Sequence, residues 1–361
     1  MLSSEDIVRG IQKARKIAPL HIDEQTLDQY VDLIRRQKIV ANKASKEFEQ
    51  LKHHMSESAL FLTDEAKHSL NDIAIYVLPL PMCIAYSEIT PNNQPIIVIS
   101  TGFINIVAAN ILFAQVGSLL PKQFDDFYSI QLRTDMSVNG IFTNSIFLML
   151  VHHFRFAEPL PNLANMLNEQ QMEDAKTAIN GAITFILLHE LAHIKLGHLD
   201  NTAENQLISQ QFVIDEQSDV YKNQEIEADA YALECIKDEA KVIGTFWQQQ
   251  AMSFFVSLEL VSGLKLSDEH PMAINRNFLS DNKRANWGKE LDVEPRPAFY
   301  HSVAQQFKQT ADASQGEINP LLQTSYRTCW ANILYLKDIY QPYGLDLSLL
   351  YRSPSRCWLD I

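Results

Sequence analysis

The chain has 361 residues, of which 46% are hydrophobic, so it can bury a sizeable core in one large domain or two smaller ones. Its 44 acidic and 30 basic side chains give a formal net charge of −14 at pH 7. This charge argues against nucleic acid as a main partner, because phosphate binding needs a basic surface.

The cysteines and the amino-terminal residues indicate the cellular location of the protein. The four cysteines are far apart in the sequence and lack the CxxC spacing of zinc ribbons and thiol redox sites, so we expect reduced thiols. Residues 1–16 carry acids and bases throughout and lack the uninterrupted apolar core of a secretory signal. We therefore expect a cytoplasmic protein.

The first 60 residues are predicted to form helices. Asp23 is a candidate cap for a helix whose apolar positions, including Leu27 and Val31, share one face. Thr63 is a candidate cap for the next helix. We expect a helical region in front of the main domain.

A strand, a turn and a helix are predicted near residue 100. Pro95 introduces Ile96–Ser100, which has a strong strand preference, and a helical pattern runs from about Phe103 to Gln115. The uncharged stretch Ile96–Leu120 is long enough to span a membrane, but polar and small residues interrupt it and no Lys/Arg cluster flanks it. We therefore expect it to be buried in a core, and we expect no membrane span.

Apolar positions recur at helical spacing from Gln170 to Gly197 and predict a long central helix that ends near Gly197. Two further helices are predicted at about 219–240 and 244–261, and Pro295 and Pro297 mark a boundary. The predicted organisation is a helical region at 1–60, a central domain at 61–294 and a mainly helical region at 295–361.

The central helix contains the motif His189-Glu190-Leu191-Ala192-His193. His189 and His193 lie one turn apart on one helical face, so both imidazoles can reach one metal ion. Glu190 projects roughly 100° around the helix, which suits a base beside a metal-bound water better than a ligand. Burying these polar groups in an apolar helix without a metal would be costly. The motif therefore predicts a zinc site.

A catalytic zinc ion usually takes three protein ligands and keeps one position for water, so a third ligand should lie downstream. His198 does not fit the elongated HExxHxxGxxH motif, whose last ligand would fall at Leu199, and we assign it to the helix end. Glu225 fits better, because Asp229 lies one turn later on the same helical face. Glu227 is the alternative ligand.

An HExxH motif followed by a helical ExxxD resembles the gluzincin metallopeptidases. In that clan the glutamate binds zinc and the aspartate hydrogen-bonds a ligating histidine, which implies these roles for Glu225 and Asp229. The resemblance implies a mainly helical α+β fold with a zincin-like core, made of an active-site helix, the ExxxD helix and a small sheet with an edge strand.

Two further stretches resemble the Lit-type phage-exclusion peptidases and the HtpX-type peptidases, and the resemblance covers about residues 70–285. They are Ile96–Phe103 upstream and His270-Pro271 with Arg276 downstream. The first implies a strand-to-helix turn beside the active site. If Ile96–Ser100 is an exposed edge strand beside the cleft, an extended peptide could pair with it through backbone hydrogen bonds. His270 is a candidate catalytic residue that stabilises an oxyanion, and Arg276 is a candidate oxyanion or substrate contact.

The predicted function is a zinc-dependent endopeptidase that holds one Zn²⁺ per chain and cleaves an intracellular protein. Zinc would activate a water, and Glu190 would take its proton and return it to the leaving amine.

The Lit-type resemblance suggests phage defence, and the HtpX type suggests quality control. The alternative is a non-catalytic regulatory or binding protein with a structural zinc site. A third reading is a protease that residues 1–60 or 296–361 cover until a partner displaces them.

The adjacent histidine pairs His152-His153 and His53-His54 do not match a shared metal site. Neighbouring side chains diverge on any regular element, so each pair is predicted to be on the surface or satisfied within the core.

Overall fold

The computed structural model describes residues 1–17, 24–122, 124, 138–199, 214–262, 318–351 and 357–360. It is mainly helical with a small sheet, which confirms a mainly helical α+β class. The strands are β1 (Ala74–Leu78), β2 (Ala85–Ile89) and β3 (Pro95–Ser100). The helices are α1 (Ser4–Ile17), α2 (Glu24–Gln37), α3 (Lys46–Ser58), α4 (Asp64–Asp72), α5 (Thr101–Gly117), α6 (Val138–Phe156), α7 (Glu169–Lys195), α8 (Ile214–Glu234), α9 (Lys241–Ser262) and α10 (Ile318–Tyr340).

The sheet has the strand order β1-β3-β2, so β3 is its central strand. β3 pairs in parallel with β1 and antiparallel with β2, with Val98 opposite both Tyr76 and Tyr86. The strand predicted at Ile96–Ser100 is therefore present, but it is not an exposed edge strand, so the condition for pairing a peptide along it is not met. Both of its backbone edges are already hydrogen-bonded within the sheet, and β2 forms the outer edge on that side.

The sheet separates two hydrophobic clusters, because successive side chains of a strand point to opposite faces. One face carries Tyr76, Tyr86 and Val98, and it packs against α1 and α2. The opposite face carries Val77 and Ile99 and joins the main core, to which α3 and every later helix contribute. The predicted boundary near residue 60 stays a prediction, and the one near residue 294 lies outside the described residues.

The junction between β3 and α5 is held by Ser100 and Gly102. The Ser100 hydroxyl accepts a hydrogen bond from the backbone N–H of Phe103 at 3.1 Å and donates one to the Met82 carbonyl at 2.5 Å. A Cβ at Gly102 would lie 2.1 Å from the carbonyl oxygen of Pro81, so only glycine permits this approach of two backbones. The predicted strand, turn and helix are confirmed here.

Helix α7 runs through the centre of the main core. Its first turn is closed by a capping box in which Asn168 and Gln171 each bond the other's backbone N–H. At Gly181 an added Cβ would lie 2.0 Å from Nε1 of Trp247, so the glycine lets α9 pack closely. Among the described helices, α7 alone is long and apolar enough to cross a membrane by length and composition, and 72% of that window is buried inside the structure. A buried core helix has the same properties.

Glu88 on β2 is a buried carboxylate that faces α1. It is 3% exposed, and its Oε1 has no hydrogen-bond partner in the part of the chain that the structure describes. Burial raises the pKa of Glu88, while Lys13 and Arg9 lower it and Asp6 raises it. Because the folded pKa lies above the unfolded one, the protonated carboxyl contributes stability below the unfolded pKa, and this is lost as pH rises through the folded pKa.

We therefore expect Glu88→Gln to raise the thermal midpoint at about pH 7, because the amide keeps the shape of the side chain without a buried charge. The gain should shrink at about pH 4, where the wild-type carboxyl is increasingly protonated. Calorimetry at the two pH values checks this, with Glu234→Gln, an exposed position, as the control. An equal change at both pH values would contradict the assignment.

Candidate metal centre

His189 and His193 lie near the end of α7, one turn apart, as the HExxH spacing predicts. His189 is 9% exposed, and His193 is partly buried. Their Nε2 atoms are 3.1 Å apart and their ring planes are inclined at 84°. Both Nε2 atoms therefore face the same point beside the helix.

Glu225 on α8 brings a carboxylate to that point. Its Oε2 lies 3.2 Å from Nε2 of His189, and its Oε1 lies 3.3 Å from Nε2 of His193. Ala228 and Ala232 on α8 are fully buried, and such small side chains allow two helices to approach closely. Of the two candidate ligands, Glu225 and not Glu227 is the one that contacts the Nε2 atoms of both histidines.

These three side chains fit a metal ion. They form a group whose donor atoms lie within 4.8 Å of one another. Bonds from zinc to imidazole nitrogen or carboxylate oxygen are about 2.0–2.2 Å long, so two donors of a tetrahedral site are about 3.3–3.6 Å apart. The separations of 3.1, 3.2 and 3.3 Å lie at or just below this range, so a small outward movement of the side chains would admit an ion. Two imidazoles and one carboxylate are also a donor set known from catalytic zinc sites.

Asp229 supports the first histidine. Its Oδ1 lies 2.9 Å from Nδ1 of His189, and Asp229 is 5% exposed. A proton on Nδ1 donates to the carboxylate and leaves Nε2 with a free lone pair towards Glu225. This contact is the one implied by the ExxxD resemblance.

His193 has a different partner, which the sequence did not suggest. Its Nδ1 lies 3.0 Å from Nδ1 of His198, and Nε2 of His198 lies 3.2 Å from Oε2 of Glu227. Burial, followed by the neighbouring His193, lowers the pKa of His198, while Glu227 opposes this. The sequence feature that could have indicated this contact is Gly197, because a glycine just after a helix allows the chain to turn back over the last helical turn.

Glu190 lies on α7 beside His189 and is partly buried. It is not a member of the group of possible ligands, which agrees with its predicted position around the helix. Its role as a base stays a prediction. His270 and Arg276 lie outside the described residues, so their predicted roles also stay predictions.

The histidine pair on α6 belongs to the core. His152 and His153 are 2% and 4% exposed. Nδ1 of His153 lies 2.7 Å from the carbonyl oxygen of Glu158, and burial lowers the pKa of His153. The ring of His152 packs against Phe156 and Tyr326. The prediction of satisfied core residues is confirmed for this pair.

Comparison with known proteins points to a peptidase. The model of the Peptidase U49 family matches residues 155–280, about a third of the chain. This range contains the HExxH motif, Glu225 and Asp229, and it supports the predicted resemblance to Lit-type peptidases. The gluzincin and HtpX resemblances and the zincin-like core stay predictions. No curated protein and no solved structure matches the chain.

Proposed function

We propose that the protein is a zinc-dependent endopeptidase whose metal is held by His189, His193 and Glu225. The observation that carries this proposal is the convergence of the three side chains within one segment that a peptidase family model matches. The buried contact from His189 to Asp229 supports it, because outer partners of this kind orient a metal-binding imidazole.

Zinc is the proposed ion because of the donor atoms. Imidazole nitrogens combined with one carboxylate suit zinc or another transition metal such as iron(II), whereas magnesium and calcium prefer oxygen donors alone. The HExxH spacing on one helix favours zinc among the transition metals. Within the described residues the donor group has three members. Three protein ligands are typical of a catalytic zinc site, and a structural site is usually closed by a fourth. The match to a peptidase family model favours the enzyme over the non-catalytic alternative.

A zinc ion bound there would lower the pKa of a water molecule and polarise the carbonyl of the scissile peptide bond. Glu190 lies one residue after His189 on α7, roughly 100° around the helix from it. In the proposed mechanism its carboxylate takes the proton of the attacking water and then gives it to the leaving amine. His270 and Arg276 are proposed to donate hydrogen bonds to the oxyanion or to contact the substrate.

The substrate is proposed to bind as an extended strand along β2 instead of β3. β2 is the outer strand of the sheet next to the central one, and it packs beside α7, which carries the HExxH motif. A peptide added to this edge would be held by backbone hydrogen bonds, and side-chain pockets would supply specificity.

The proposed target is an intracellular protein, and the similarity to Lit-type peptidases suggests a role in phage defence. The cysteines Cys83, Cys235, Cys329 and Cys357 are free thiols, which suits a reducing compartment. The proposed location is the cytoplasm.

The proposal is tested by adding the protein to a cell lysate and identifying the new amino termini that cleavage creates. We expect the zinc-loaded wild type to produce a small set of cuts that a chelator abolishes and added zinc restores. Glu190→Gln serves as the matched control, because it changes one proton-accepting oxygen. Cuts that are the same with wild type and Glu190→Gln would contradict an endopeptidase.

A further inference from the structure

The end of α7 folds back over its own last turn. Gly197 has φ +73°, in the left-handed region that favours glycine. The N–H of Gly197 bonds the carbonyl of Ile194 at 3.3 Å, and the N–H of His198 bonds the carbonyl of His193 at 3.0 Å. This pair of bonds is a Schellman motif. It places the His198 imidazole against that of His193.

One arrangement of protons satisfies the contacts that follow. If Nε2 of His193 binds a metal, its Nδ1 carries the proton and donates to Nδ1 of His198, 3.0 Å away. His198 then carries its own proton on Nε2 and donates it to Oε2 of Glu227 at 3.2 Å. The chain of hydrogen bonds therefore runs from the ring of His193 through the ring of His198 and ends on the carboxylate of Glu227.

We propose that His198 and Glu227 are positioning residues that orient the imidazole of His193 for metal binding. This inference rests on the proposed function, because it needs a metal at His193. The two proposed histidine ligands then have different hydrogen-bond partners. His189 bonds the carboxylate of Asp229 directly, whereas His193 is linked to the carboxylate of Glu227 through the imidazole of His198.

The exposure of the supporting groups predicts the order of their effects. The side chains of Asp229 and His198 are 7% and 6% exposed, whereas that of Glu227 is 63% exposed. Water can replace an exposed hydrogen-bond partner more easily than a buried one. Loss of metal affinity should therefore be large for Asp229 and His198 and smaller for Glu227.

Competition with a chromophoric chelator measures the affinity of the full chain for zinc. His198→Ala should weaken zinc binding about 10- to 100-fold, the range typical of outer partners of metal ligands. His198→Gln should stay within about threefold of wild type, because the amide oxygen accepts from His193 and the amide N–H donates to Glu227. Glu227→Gln should weaken binding by less than about tenfold. His68→Ala, at an exposed histidine on α4, is the matched control.

Cobalt in place of zinc gives a second readout, because its absorption bands report the donor atoms. The bands of His198→Ala should keep their positions, since the ligands themselves are unchanged. Wild-type affinity in His198→Ala, or equal losses in the alanine and glutamine variants, would overturn the proposal. A change of the cobalt spectrum to that of a site with one protein donor fewer would overturn it too, because His198 would then be a ligand itself. Wild-type protein that binds no metal would instead defeat the proposed function.

Discussion

Replacing His189, His193 or Glu225 with alanine is expected to abolish retention of zinc, while the purified wild type keeps about one ion per chain. Each variant removes one of three donors that lie 3.1 to 3.3 Å apart. Structural zinc sites in zinc-finger peptides, which have four ligands, bind with about 10–16 kcal/mol, so one ligand is worth roughly 3 kcal/mol. The affinity should therefore fall by at least about a hundredfold.

Elemental analysis after purification and dialysis measures this loss. Glu227→Ala separates the two candidate ligands, because Glu227 contacts His198 and not the metal-facing nitrogens. It should still carry zinc when zinc is supplied in excess. Full zinc content in Glu225→Ala, together with loss of zinc in Glu227→Ala, would reverse the assignment of the third ligand.

Glu190→Gln is expected to keep zinc and to lose peptide hydrolysis. Glutamine has nearly the shape of glutamate but cannot take up the proton of the attacking water, and general-base catalysis typically contributes 10²- to 10⁴-fold. The turnover of a peptide that contains an identified cleavage site should fall by about this factor, with little change in metal content.

Measuring both hydrolysis and zinc content in Glu190→Gln makes this prediction specific. Glu234→Gln, an exposed position at the end of α8, is the control for an ordinary loss of charge. Hydrolysis that stays within about twofold of wild type in Glu190→Gln would exclude Glu190 as the base. Loss of zinc in this variant would make it a ligand.

Much of the candidate site was predictable because it depends on short-range spacing. Residues four apart on a helix share a face whatever the rest of the fold does, so the pairs of His189 with His193 and of Glu225 with Asp229 followed from sequence. The same rule chose Glu225 over Glu227. The contact between the two helices, in contrast, needed the structure.

The order of the strands in the sheet could not be predicted from the sequence. The run of β-branched residues at Ile96–Ile99 predicts a strand, but its place in the sheet depends on its neighbours. β1 and β2 have only five residues each, and prolines lie between them, so their signal was weak. Pairing between distant segments decided that β3 is central.

His198 was assigned only to the helix end, because motif spacing tests whether a residue is a ligand and not whether it supports one. Its contact with His193 arises from the backbone reversal at Gly197. Helix α6 was also not predicted, because it is buried on nearly all sides and its apolar residues form no stripe.

Anomalous diffraction at the zinc edge from a crystal of the zinc-loaded protein tests the central claim most directly. We expect one peak about 2.0–2.2 Å from Nε2 of His189, Nε2 of His193 and a carboxylate oxygen of Glu225, with a solvent molecule as the remaining ligand and Glu190 beside it. A fourth protein ligand in place of the solvent, or a peak away from these three side chains, would contradict the account.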